Sequence, residues 1–483
     1  MTATPESIAR AKRLVEAEGR MASAFQILEP GYQYFFGRVD DQDLGVIGYV
    51  DTRWYWVVAG GAIGGDAPCT LRQAAAAAKA EGKTLLLVGA EPENVDDVRR
   101  CGLEFEALAI GHQPEWVPAD YRITGPDRRS LRAQVNRARN KGVRIRRLAP
   151  EELTHSVGTL RLQVEHVLAQ WMESRRMAVL RFMVDPQPFS FRQERRYYLA
   201  ETQAGPVGFM AAIPVYGRNG WFFEDVVRVP DAPNGTSELL IHTGLEDAKA
   251  QGDAFVTLGL SPLARLDGTF PKHPRLRWLL TWAAPRLSRL YDFRGLERFK
   301  GRFHPDTWVP QSMVSISRPL GLRALLALAA VFIPGSFAEF LAETCRRILT
   351  RIKAKTWACA VLVQIALLVP WTILLACVDG ARWFGDISIH RAWLWFDVGM
   401  ITALAMLARL TWRRRPIVRR MSMFLSGATL TDFILSLVQA VTLHDNVEGW
   451  AALFVTMGVA GPAVATLFLM ALAVAWPARG TPE

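Results

Sequence analysis

Apolar positions divide the chain into two regimes. Residues 1–320 alternate short apolar runs with polar ones, as soluble sequence does, whereas 357–476 holds long apolar stretches separated by short polar segments. Four stretches, 357–377, 392–410, 421–443 and 450–476, match the ~20 helical residues needed to cross ~30 Å of hydrocarbon. Many of the sixteen tryptophans lie at their ends, as interface anchors do. Basic residues cluster before the first stretch (Arg346, Arg347, Arg351, Lys353, Lys355) and between the second and third (Arg409, Arg413, Arg414, Arg415, Arg419, Arg420). The segment 378–391 carries only Arg382 and Arg391, and 444–449 carries no lysine or arginine. This bias predicts a multi-pass bacterial inner-membrane protein with four spans and both ends cytoplasmic. The charged N-terminal run 1–19 does not read as a signal peptide, so the soluble half is expected on the cytoplasmic side.

A shorter apolar stretch, 324–341, is interrupted by Pro334 and Gly335 and ends at Glu339 and Glu343. It reads as an interfacial amphipathic segment. Asp397 and Asp432 fall inside predicted spans. Either they mark a polar pathway, or they are a helix-end carboxylate and an interhelical hydrogen bond.

Within the soluble half one pattern occurs twice. Gly45-Val46-Ile47-Gly48-Tyr49 begins a strand pair through 54–59, followed by a glycine-rich turn at 60–65, an alanine-rich helix ending at Gly82, and a strand at 84–88. Gly205-Pro206-Val207-Gly208-Phe209 begins the same order through 221–227, a turn at 230–235, a helix ending at Gly252, and a strand at 254–258. Alternating β-branched runs make the strands, glycine closes each helix, and Thr236 is a candidate cap. Strand–strand–turn–helix–strand is the central unit of GNAT-type acyltransferases, whose turn and helix N-terminus bind phosphate or acyl oxygen. The expected fold is an α/β (α+β) tandem GNAT-like domain followed by an all-α four-helix membrane region. Its divisions are a first lobe at 1–145 ending in a basic helix, a second at 146–318 with the catalytic motifs, an interfacial segment and basic linker at 319–356, and the membrane domain at 357–483.

The formal net charge of +11 suits polyanionic partners. Part of it is the positive-inside bias, but 128–147 holds nine arginines or lysines far from the spans. Five scattered cysteines support neither a disulfide framework nor a zinc site.

More specific signals lie in the second copy. Asp225-Val226-Val227-Arg228 runs through Asp231-Ala232-Pro233-Asn234-Gly235 to Glu238, and Leu258-Gly259-Leu260-Ser261-Pro262-Leu263 follows. Tyr291, Phe293, Gly295, Leu296, Phe299, Lys300, Arg302, Phe303, Pro305 and Trp308 mark a closing segment, and Ser130-Leu131-Arg132 with Asn136-Arg137-Ala138 and Gly142 a basic helix upstream. In order, over about 20–315, these resemble the lysyl-phosphatidylglycerol synthase (aminoacyl-phosphatidylglycerol synthase, multiple peptide resistance factor) catalytic domain. The resemblance implies transfer of an aminoacyl group from aminoacyl-tRNA to a lipid hydroxyl, usually of phosphatidylglycerol. The sequence departs from the family's Leu-Met at Val226-Val227 and from its Met-Ala at Leu260-Ser261. Its four helices follow the catalytic region, whereas the family's large members place many before it. Product flipping is therefore not implied.

Such a transfer needs a proton acceptor near the hydroxyl, donors for a tetrahedral oxyanion, and cations for phosphate-bearing substrates. Asp225 or Asp231 is the expected proton acceptor or anchor for the α-amino group, and Arg228 the phosphate ligand, since its planar fork binds phosphate bidentately. Asn234 and Gly235 are candidates to face the oxyanion, and Glu224, Glu238, Ser261, Lys300 and Arg302 to contact substrate. Ordinary turn and cap chemistry is the other reading of Asp231 and Asn234, and a solvated basic face that of Lys300 and Arg302. Arg128, Arg132, Arg137, Arg139 and Lys141 are expected to bind the tRNA backbone, again unless the run is a solvated face. The coenzyme A signature Arg/Gln-x-x-Gly-x-Gly/Ala is missing at the Arg228 turn, so acetyl-CoA is disfavoured. No cofactor or metal is expected, and His242, His273 and His304 have no triad or metal spacing. Aminoacyl-tRNA and an anionic membrane phospholipid are the expected partners; a homo-oligomer is compatible with the sequence. A Fem-like tRNA-dependent transferase acting on a peptidoglycan precursor and a non-catalytic lipid-binding membrane protein stay open.

Overall fold

A computed structural model describes residues 3–154, 159–175, 182–184, 186–265, 292–333, 335–443 and 449–476. Tyr291 and His273 lie outside these residues. The chain forms two compact units, Met1–Phe340 and Leu341–Glu483.

The first unit is built on twelve strands: β1 Gln33–Val39, β2 Gln42–Asp51, β3 Tyr55–Ala59, β4 Thr84–Ala90, β5 Phe105–Trp116, β6 Arg144–Leu148, β7 Arg196–Thr202, β8 Gly205–Val215, β9 Gly220–Arg228, β10 Phe255–Thr257, β11 Ser261–Pro262 and β12 Thr307–Ile316. They make one sheet in the order β1-β2-β3-β4-β12-β5-β10-β9-β8-β7-β6, with β11 paired to β5. Its helices are α1 Pro5–Glu18, α2 Ala67–Ala80, α3 Pro92–Arg100, α4 Arg129–Asn140, α5 Thr159–Glu173, α6 Thr236–Gln251, α7 Phe293–Gly301 and α8 Leu322–Phe332.

The repeated pattern is a repeated topology. In each copy an antiparallel pair (β2–β3, β8–β9) continues through a helix (α2, α6) into a parallel strand (β4, β10). Gly82 and Gly252 follow the two helices with the same φ of +73°, a left-handed turn that L side chains resist. The result is a mixed α/β sheet domain with the strand–strand–helix–strand order expected of a tandem GNAT-like fold.

The space between the copies is divided differently from the chain. β12 inserts between β4 and β5, so the closing segment completes the first half of the sheet. β6, cut by the expected boundary at 145, lies whole at the far edge of the second half, against β7. The basic helix α4 buries Leu131, Val135 and Ala138 in the core beneath α6 and thus packs with the second half. The segment read as interfacial is also partly a core element. α8 buries Ala324, Ala327 and Val331 against Tyr55, Leu86 and Met313 of the sheet and leaves Leu322 and Leu326 exposed.

Among its described residues the second unit has four helices long and apolar enough to cross a membrane, within a few residues of the expected spans. After α9 (Phe337–Leu349), which crosses the division between units, they are α10 Ala354–Cys377, α12 Ile387–Trp412, α13 Val418–Leu443 and α14 Trp450–Ala475, with the short α11 Gly380–Phe384 between the first two. Leu367, Trp395, Phe424 and Leu467, one on each long helix, are at least 70% exposed, as lipid-facing residues are. The chain is a membrane protein.

Candidate active site

A bulge in β9 sets up the site. Ala211 lies opposite Asp225 and Ala212 opposite Phe223, leaving Glu224 as the extra residue. A bulge re-aims side chains locally. Phe223 enters the core under α6, whereas Asp225 faces the other side with Ala211, which packs in the core holding α5 residues. Glu224 joins Asp225 in one buried cluster instead of alternating away from it.

Arg195, whose side chain is completely buried, organises that cluster. Its Nη1 donates to Glu224 at 2.9 Å, its Nη2 to Glu29 and to Ser190 Oγ, and its Nε to the Ser190 carbonyl at 2.8 Å. Gln26 Nε2 donates to Glu224 at 2.5 Å and to the Met183 carbonyl at 3.0 Å. Gln26 and Glu29 come from the first half and Glu224 and Asp225 from the second, so the cluster sits where the halves meet. A second polar tie crosses this junction where Arg218 holds Glu115 bidentately at 2.9 and 2.7 Å.

The charge balance is uneven. Glu224 and Asp225 both act electrostatically on Glu29, and Arg195 interacts with all three acids. Burial, reinforced by the charge of Glu224, pushes the Glu29 carboxyl up to about 9 despite Arg195. Burial alone would lower the Arg195 guanidinium, but Glu224 and Glu29 hold it above its ordinary value. The fully buried Tyr32 phenol is raised well above its usual range, first by burial and then by Glu29 and Glu224. Burial thus favours the protonated form of Glu29 inside the cluster.

A pH dependence of stability follows. Between pH 4.5 and about 9 the folded chain keeps the Glu29 proton that the unfolded chain has lost. Stability therefore falls as pH rises through this window. Glu29→Gln, which keeps shape and removes the titration, should flatten the decline in denaturant-unfolding free energy from pH 5 to 9. An unchanged slope would refute the assignment.

The other expected site residues are dispersed. Arg228 ends β9, half-buried, its Nη1 3.4 Å from the Val229 and Pro230 carbonyls. Asp231 and Asn234 are exposed in the following turn. Gly235 precedes α6 with φ +96°, and a Cβ there would lie 2.0 Å from the Gln134 carbonyl of α4. Gly235 is thus needed for the close packing of α6 on α4. Thr236 does not cap α6; its hydroxyl donates to the Pro233 carbonyl at 2.7 Å. The corresponding helix of the first copy, α2, is capped by Asp66, which accepts from the Cys69 N–H at 2.9 Å. Glu238 is buried and pairs with the half-exposed Arg302 at 3.2 Å.

Lys300 has a different role from the one expected. It is buried, and its Nζ donates to the carbonyls of Leu258, Gly259 and Leu260 at 2.8, 2.9 and 2.9 Å. All three N–H groups are committed to the backbone just beyond β10, where that strand's pairing with β9 ends, so none is left for a phosphate. Burial pushes its ammonium down to about 7. Ser261 is fully buried on β11, opposite His112. His242 is a core histidine: its Nδ1 lies 3.2 Å from the Tyr121 hydroxyl, and burial, then the Arg139 charge, lowers it to about 4.

Two of the five expected tRNA contacts are also taken. Arg128 donates to the Arg122 carbonyl, and Arg132 to those of Ile123 and Gly125 at 2.7 and 2.5 Å, pinning the loop before α4. Arg137, Arg139 and Lys141 are exposed and form no ion pair among the described residues. Sequence reasoning missed Glu29, Gln26 and Arg195. The available signal was a carboxylate closing the otherwise apolar run Phe25-Gln26-Ile27-Leu28-Glu29.

The family model for the phosphatidylglycerol lysyltransferase C-terminal region matches residues 12–315. The chain belongs to this family. Among curated proteins it is similar to the lysylphosphatidylglycerol biosynthesis bifunctional protein LysX of Mycolicibacterium gilvum, 26% identical over 255 residues, covering 47% of this chain and 20% of that protein. The LysX of Nocardia farcinica is 28% identical over 271 residues, covering 52% and 22%. The match thus spans about a fifth of these relatives' length. Among solved structures, a C-terminal domain assigned to a lysylphosphatidylglycerol synthetase of Agrobacterium fabrum superposes with a TM-score of 0.57 at 18% identity, covering 69% of this chain and 98% of that one. The L-PGS of Bacillus licheniformis gives 0.56 at 19%, covering 68% and 95%. These two structures share the fold of the mixed-sheet domain.

Proposed function

We propose that this family member transfers an aminoacyl group from aminoacyl-tRNA to a hydroxyl of a membrane lipid, phosphatidylglycerol first among acceptors, at the cytoplasmic face of the inner membrane. The observation that carries the reading is the acidic cluster of Glu29, Glu224 and Asp225 around Arg195 at the junction of the halves. Three acidic side chains converging there complement the ammonium of an aminoacyl group, and more so that of a basic amino acid. Asp225 then accepts the proton of the attacking hydroxyl or anchors the α-amino group, with Asp231 as the alternative at the turn. Arg228, at the end of the same strand, takes a substrate phosphate. The exposed Arg137, Arg139 and Lys141 track the tRNA backbone, and the exposed apolar side of α8 (Leu322, Leu326) meets the bilayer surface.

A transfer assay on membranes containing the full chain tests this reading. Labelled amino acid should enter the lipid fraction only with aminoacyl-tRNA, and ribonuclease should abolish incorporation. Lipid mass spectrometry identifies the acceptor; label in a peptidoglycan precursor would favour a Fem-like reaction instead. The triple variant Arg137→Gln, Arg139→Gln, Lys141→Gln should raise the half-saturating tRNA concentration at least tenfold and reduce the salt dependence, since each lost phosphate contact lowers the salt slope by about one. The modified lipid should be unchanged. Ribonuclease-resistant transfer supported by acetyl-CoA would overturn the reading.

A further inference from the structure

The membrane unit contains a partly open cavity of about 460 Å³, within the ~300–1,000 Å³ range of small-molecule sites. Its wall is mostly aromatic and aliphatic. The rings of Trp371 and Trp383 each lie 4.9 Å from that of Phe454, and all three line the space. Two carboxylates from different helices converge on it, Asp397 of α12 and Asp432 of α13. Each is held by a hydroxyl at 3.1 Å, Thr372 Oγ1 to Asp397 and Ser436 Oγ to Asp432, and Gln364 and Gln439 add amides to the wall. No lysine, arginine or histidine lines the cavity among the described residues.

Carboxylates are expensive in apolar surroundings, and two sharing one cavity without a basic partner form a site for positive charge. The volume far exceeds that of an inorganic ion, and the ring faces attract organic cations. Exposed apolar residues on the outside of all four long helices place the bundle within lipid. We propose that this cavity binds an amphiphilic organic cation, a protonated or quaternary amine on an apolar body. The same chemistry is supplied by an amine-headed membrane lipid or by a free lipophilic amine. The inference rests on the bundle alone and does not depend on the transferase reading.

The test uses the purified full chain in dodecyl maltoside, with tritiated tetraphenylphosphonium as probe in a scintillation proximity assay. Saturable binding of one probe per chain is expected, with Asp397→Asn and Asp432→Asn each weakening it at least tenfold. Gly458→Leu leaves both charges in place and fills the cavity, because a Cβ at 458 points toward Trp371 at 3.4 Å; it should abolish binding. This second kind of variant keeps the test decisive should either asparagine variant fail to fold. Displacement by phosphatidylethanolamine would assign the cavity to a lipid, and displacement by dodecyltrimethylammonium alone to a free amphiphile; both support the proposal. Absence of saturable binding to the wild-type chain, or equal affinity in all three variants, overturns it.

Discussion

Arg195→Met should cost the mixed-sheet domain about 3–5 kcal/mol, the range for removing one partner of a buried ionic group. That is a large share of the ~5–15 kcal/mol by which domains are stable. The physical reason is specific to this cluster. Methionine replaces much of the arginine's volume, so packing is largely kept, but Glu224 and Glu29 lose their charge-assisted donors in a largely buried site. The raised Glu29 carboxyl already favours its neutral form, so less charge is left uncompensated there, which places the effect at the lower end of the range. Adding Glu29→Gln and Glu224→Gln to Arg195→Met should restore much of the stability, since the triple variant removes the charges together. Denaturant unfolding of the full chain in detergent, followed by tryptophan fluorescence, measures both effects. If Arg195→Met unfolded at the wild-type midpoint, the cluster would not hold the halves together.

Arg228→Ala should lower the rate of lipid aminoacylation by about 10²–10³, the usual result of losing one transition-state contact, without lowering the unfolding midpoint. The stability part follows from geometry, because its only described bonds are two long ones to neighbouring carbonyls. Asp225→Asn should match that loss in rate, because the amide keeps the shape of the side chain but cannot accept the hydroxyl proton. Asp231→Ala separates the two candidate acceptors: exposed in the turn, it should leave folding intact and reduce the rate severely only if it, and not Asp225, takes the proton. Initial rates at saturating aminoacyl-tRNA decide the matter. An Arg228→Ala rate within threefold of wild type would remove the end of β9 from the reaction.

Local features were legible in the sequence. The four spans could be read within a few residues because about twenty consecutive apolar residues have one low-energy solution in lipid, a helix that satisfies its own backbone. The repeated strand–strand–turn–helix–strand pattern was readable too, down to Gly82 and Gly252, since a left-handed helix end is a demand made on a single residue. The motif from Asp225 to Glu238 falls on β9 and the turn after it, but the residues packed around Asp225 and Glu224 were not legible. Only tertiary structure decided that Glu29 and Arg195, 166 residues apart, would meet, and that they would meet Glu224. That encounter depends on one extra residue in the pairing of β8 with β9, and register is a property of two strands, which neither strand's pattern specifies alone. Lys300 shows the same limit. Its charge is written in the sequence, but whether an ammonium meets phosphate or three backbone carbonyls depends on where β10 parts from β9, which long-range packing sets.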